Sequence, residues 1–75
     1  MKELIEYVAK AIVDHPEAVI VTEVPAENGI ILKIEAAPED MGKVIGKQGR
    51  IIKAMRTLLR VAAIRKGTRA TLEID

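Results

Sequence analysis

The 75-residue chain reads as an α+β domain in the order helix-strand-strand-helix-helix-strand, with three helices packed on one face of a three-stranded sheet. Three observations predict this. Apolar residues recur at helical spacing in residues 3–14 and 50–66. They fall at every second position in 30–36 and 70–75, and Gly, Pro and Asn punctuate the joins. A chain of this length forms one domain, residues 1–75, with a small core, so all apolar faces must meet in a single layer.

Leu4, Ile5, Val8, Ala9 and Ile12 line one side of the first helix, which closes near His15-Pro16. Residues 18–24 are rich in Val, Ile and Thr and predict a strand ending before Pro25. Asn28-Gly29 supplies a turn, and Ile30, Leu32, Ile34 and Ala36 predict a second, half-buried strand, so the pair forms a hairpin. Pro38 suits the first position of a short helix reaching Ile45, with Glu39 and Asp40 placed to favour its positive end. After Gly46–Gly49 a longer helix follows from about Arg50 to Lys66. Ile51, Ile52, Met55, Leu58, Leu59, Ala62 and Ala63 face inward, and Gly67 is its left-handed cap. Ala70, Leu72 and Ile74 predict the closing strand. Met41 and Met55 read as core, Tyr7 as a partly buried edge residue, and His15 as a companion of the helix stop.

Charge is sharply divided along the chain. Residues 43–69 hold nine of the twelve basic residues and no acidic one, whereas residues 1–42 hold nine acids and three lysines, a net of −6. A helix built only to be soluble interleaves glutamates with its lysines and arginines; this one does not, and the basic block predicts a polyanionic partner. The chain has one aromatic residue, Tyr7, so a bound strand cannot be held by stacking on an aromatic platform. Bases would lie against aliphatic side chains, and the backbone would be held by amides and charge.

Cysteine is absent and His15 stands alone, which leaves no thiolate metal site, no histidine triad and no expected cofactor. No nucleophile–base pair or separated carboxylate pair is visible, so the protein is not expected to be an enzyme. The N-terminal stretch lacks the basic and apolar regions of a secretory signal, and no apolar run approaches the ~20 residues that span a bilayer. The expected setting is cytoplasmic, with no membrane partner.

The basic block opens with Val44-Ile45-Gly46-Lys47-Gln48-Gly49-Arg50. A Gly-x-x-Gly link between two helices places backbone N–H groups at the open, positive end of the second helix, and glycines let a sugar-phosphate chain come close. Lys47 projects from the tip, with Lys43, Arg50 and Lys53 one turn to either side, so successive phosphates are the expected contact. A nucleotide phosphate loop fits poorly, since Gly42 and Gly46 are separated by three residues and Lys47 precedes Gln48 rather than Ser or Thr.

The run from Val44 to Lys53 resembles the signature of the KH domain, Val-Ile-Gly-x-x-Gly-x-x-Ile-Lys, and the element order is similar to the type II KH arrangement over the whole chain. Among such proteins it resembles the KhpA family of small bacterial RNA-binding proteins. The resemblance implies non-enzymatic binding of single-stranded RNA by an RNA chaperone or post-transcriptional regulator. It assigns the clamp to Gly46, Lys47, Gln48 and Gly49, with Ile45 facing the bases and Lys43, Arg50 and Lys53 as supporting cations. It also implies self-association, or pairing with a second KH-containing RNA-binding protein. Ala54, Thr57, Val61 and Ile64 lie off the apolar stripe of the long helix and are the candidate surface for a homodimer or heterodimer of that kind.

Overall fold

The computed structural model describes residues 1–75 and contains the six expected elements. They are helix α1 (Lys2–Ile12), strands β1 (Ile20–Ala26) and β2 (Gly29–Glu35), helices α2 (Met41–Ile45) and α3 (Arg50–Arg65), and strand β3 (Arg69–Ile74). Short 3-10 turns at Pro16–Ala18, Pro38–Asp40 and Lys47–Gly49 join them. The sheet order is β1-β2-β3, with β1 antiparallel and β3 parallel to β2. The parallel pair is reached by the α2–α3 crossover, the long connection that parallel strands require.

The inward positions of all six elements meet in one core. Ile5 and Ala9 from α1, Val21, Leu32, Ile34 and Leu72 from the sheet, Val44 from α2, and Ile52, Met55 and Leu59 from α3 are all buried there. Each large aliphatic side chain so removed from water contributes about 1.5–3 kcal/mol, which is how a domain this small offsets its chain entropy. The opposite sheet face stays in solvent and carries the cross-strand row Thr22, Lys33 and Glu73.

Several expectations change. Strand β1 begins at Ile20 and continues through Pro25, which pairs with Ile30. It tolerates a proline because it is an edge strand, where one row of N–H groups has no partner to lose. The Pro38 helix divides into a 3-10 turn and the five-residue α2. Tyr7 is 76% exposed rather than partly buried, Leu58 on α3 is 46% exposed rather than core, and Ile74 is 38% exposed at the end of β3. Met41 is only half-buried, whereas Met55 lies in the core as expected.

Candidate nucleic-acid interface

The segment between α2 and α3 is a tight left-handed turn. The Gly46 N–H closes α2 on the Gly42 carbonyl at 2.8 Å, and the Gly49 N–H returns to the Gly46 carbonyl at 3.1 Å. Gly46 (φ 78°), Gln48 (φ 56°) and Gly49 (φ 73°) all have positive φ. A β-carbon at Gly46 would lie 2.4 Å from Ile51 Cγ1, whereas one at Gly49 would meet nothing closer than 3.8 Å. The two glycines therefore serve different needs. Gly46 makes room for the half-buried Ile51 that packs against the core, and Gly49 is needed for its backbone conformation alone.

This geometry also changes which amides are free. The turn itself consumes the Gly49 N–H and the Arg50 N–H, the latter donated to the Lys47 carbonyl. The N–H groups of Lys47 and Gln48 have no backbone partner, so the open donors sit at the tip of the turn rather than along the first turn of α3. Lys47, Gln48, Arg50 and Lys53 are exposed around them, with Arg50 Nη2 3.5 Å from Gln48 Oε1, and no acidic residue lies in the first turn of α3. Ile45 is half-buried at the end of α2, against the core.

Lys43 stands apart from the other cations. Its Nζ is hydrogen-bonded to Asp14 and lies 3.9 Å from Asp40 Oδ1. The hydrogen bond and charge of Lys43 hold the Asp14 carboxyl below the usual carboxylate range, and the same bond raises the Lys43 ammonium. Asp40 is not a solvated residue favouring a helix dipole. It is fully buried, and its Oδ1 and Oδ2 accept the backbone N–H groups of Asp14 (3.2 Å) and His15 (2.9 Å). Those donors lie just past the end of α1, so Asp40 ties the start of α2 to the segment that follows α1. His15 also has more company than a helix stop requires, with Glu17 at 3.5 Å and Glu39 at 3.4 Å from its two ring nitrogens.

A cleft beside α3 escaped the sequence reading. Lys53, Arg56 and Arg60 follow one side of the helix away from the turn, at the spacing of neighbouring turns. Arg56 Nε donates to the Leu72 carbonyl at 3.2 Å, placing this side over β3. A cleft of about 160 Å³ is lined there by Arg56, Arg60, Ala70, Thr71 and Leu72, and one of about 350 Å³ adjoins it at Ile64, Thr68 and Arg69. The helical spacing of the cations is legible in the sequence; the strand beneath them depends on the sheet order. On another side, Ala54, Thr57, Leu58, Val61 and Ile64 form an exposed strip, with Val61 49% and Ile64 68% accessible. Leu58, expected in the core, belongs to this strip. No helix is long and apolar enough to cross a membrane.

Comparison with known proteins gives a consistent result. Residues 2–74 match the family model described as KhpA/KhpB, KH domain. The RNA-binding protein KhpA of Clostridium perfringens is 57% identical over 74 residues, covering 99% of each chain. Its counterpart in Treponema pallidum is 53% identical, covering 97% of this chain and 91% of that one. Among solved structures, Aquifex aeolicus Era Y63A bound to GDP·AlF4− superposes with a TM-score of 0.62 at 19% identity, over 97% of this chain and 28% of that one. That likeness concerns the fold alone.

Proposed function

The chain belongs to the KhpA/KhpB family of KH domains, and from that membership we propose that it binds single-stranded RNA without catalysis, through the Gly46–Gly49 turn. The observation that carries this reading is the tip of the turn. Two unpartnered amides, Lys47 and Gln48, stand among Lys47, Arg50 and Lys53 with no carboxylate beside them. Such a site suits a phosphodiester, whose oxygens accept from amides and whose charge the cations balance. Phosphate contacts fix the register of the strand, and the cleft between α3 and β3 is where its bases would lie. Ile45 would support the loop end of that groove through its contact with the core. Lys43 contributes less than the other cations because Asp14 already engages it.

The test is anisotropy of short labelled RNAs with wild type and with Lys47→Asp plus Gln48→Asp. Aspartate tolerates the left-handed backbone at position 48, so the fold survives while two carboxylates replace the phosphate site. Binding by wild type and none by the variant supports the reading; equal binding by both rejects it. With three or four phosphates engaged, affinity falls roughly 20- to 50-fold between 50 and 200 mM salt.

A second reading rests on the exposed strip Ala54, Thr57, Leu58, Val61 and Ile64. Four of its five residues are apolar, and it suits a homodimer or a heterodimer with a second KH-containing RNA-binding protein. Val61→Glu would turn a dimer into a monomer, and an unchanged mass in light scattering would reject this surface.

A further inference from the structure

The free edge of β3 has a definite polarity. In a parallel ladder, alternate residues turn both N–H and C=O toward the same neighbour. The Asp75 N–H donates to the Ile34 carbonyl of β2 at 3.0 Å, so odd-numbered residues in this stretch address β2. Ala70, Leu72 and Ile74 then address the open edge. Arg56 agrees with that parity, since it reaches the Leu72 carbonyl from outside the sheet.

Left alone, Leu72 would offer an incoming base an N–H donor beside a C=O acceptor, which complements the amino group and N1 of adenine. Arg56 alters that pair. Its Nε occupies the carbonyl at 3.2 Å, and its remaining guanidinium N–H groups stand in a rigid plane beside it. The cleft there is lined by Arg56 and a second guanidinium, Arg60, beside the backbone of Ala70 to Leu72. A base amino group must compete with Arg56 for the Leu72 carbonyl, whereas a base edge with two neighbouring acceptors meets the guanidinium fork directly.

We propose that Arg56 determines the base preference of this groove, favouring bases that present two neighbouring acceptors over adenine. Guanine does so through O6 and N7, and cytosine through N3 and O2. The inference rests on the RNA-binding reading above and adds a specificity that phosphate contacts cannot supply. A purely structural tie between α3 and β3 would leave base preference unchanged in every variant that folds.

The test uses uridine oligomers of about eight nucleotides carrying one central adenosine, cytidine, guanosine or 7-deazaguanosine. Anisotropy would be measured for wild type, Arg56→Met and Arg56→Lys. Wild type is expected to bind the guanosine or cytidine oligomer at least about fivefold more tightly than the adenosine one, the low end for a good bidentate contact. Arg56→Met lacks the donors and Arg56→Lys lacks the planar fork, so both should bring that ratio to unity while still binding uridine oligomers. Comparing ratios removes the general loss from deleting a charge. Weakening by 7-deazaguanosine identifies guanine N7 as the acceptor; a lead by the cytidine oligomer identifies the alternative edge. Equal binding of all oligomers by wild type, or a ratio retained in both variants, overturns the inference and leaves the RNA-binding reading standing. Failure of wild type to bind any oligomer overturns both.

Discussion

At its start, α2 is met by Asp40, whose two carboxylate oxygens are both taken by amides from just past the end of α1. At its end it runs into Gly46–Gly49, where the Lys47 and Gln48 amides have no backbone partner and cations face outward. Both turns are polar, both include a 3-10 turn, and only five helical residues separate them. One closes on a buried, saturated carboxylate, the other is exposed and open. Satisfied polar groups hold a fold in place, whereas unsatisfied ones at a surface are available to a ligand. Stability and binding should therefore separate across the length of one short helix.

The largest effect is expected at the buried carboxylate. Asp40→Ala strands the amides of Asp14 and His15, and at about 1–3 kcal/mol for each lost partner it should remove roughly 2–4 kcal/mol in chemical denaturation. A change below the error of the experiment would mean that water replaces the carboxylate and the turn is not sealed. The two loop glycines come next. Gly46→Ala combines positive φ with a clash against Ile51, and should cost about 2 kcal/mol or more, whereas Gly49→Ala carries only the left-handed penalty of about 1 kcal/mol. Adding Ile51→Ala should recover part of the first loss and none of the second. Equal costs would show that packing against Ile51 does not matter.

The ion pair between Asp14 and Lys43 gives a smaller, pH-dependent effect. The lowered Asp14 pKa stabilises the fold at neutral pH and that contribution is lost as pH falls through the carboxylate range. The raised Lys43 pKa contributes below the lysine range and is lost as pH rises through it. Relative to wild type, Asp14→Asn should be less stable at neutral pH and converge with it at both extremes; a constant offset across the titration would contradict the pairing. The smallest effect is expected at Gln48, a non-glycine residue in the left-handed region. Gln48→Asn should be neutral or stabilising by up to about 1 kcal/mol, because asparagine adopts that conformation more readily. It should leave RNA affinity unchanged if the backbone amide, rather than the side chain, is the contact.

The order of elements was legible because helical and alternating spacings differ so clearly in residues 3–14, 30–36, 50–66 and 70–75. The Gly46–Gly49 turn was legible for a similar reason, since two glycines between helices demand unusual backbone. What escaped were long-range consequences. Nothing near Asp40 in sequence shows that its partners lie at Asp14 and His15, more than twenty residues away. Pro25 looked like a strand terminator because its tolerance depends on β1 being an edge strand. Leu58 sits at the margin of the apolar stripe, where the helix's rotation on the sheet decides burial, and Tyr7 likewise faces solvent. Arg56 was visible as a cation, but its engagement with Leu72 depends on β3 having a free edge beneath α3.

The most direct measurement is a ¹⁵N amide shift titration with a short single-stranded RNA. Amides from Lys47 to Arg50 should move first and furthest, followed by those near Lys53, Arg56 and Leu72, with Asp14 to Ala18 still. Shifts centred on the Asp14–Ala18 turn or on the open sheet face around Thr22 and Lys33, with Lys47 and Gln48 unmoved, would contradict the assignment of binding to the open turn.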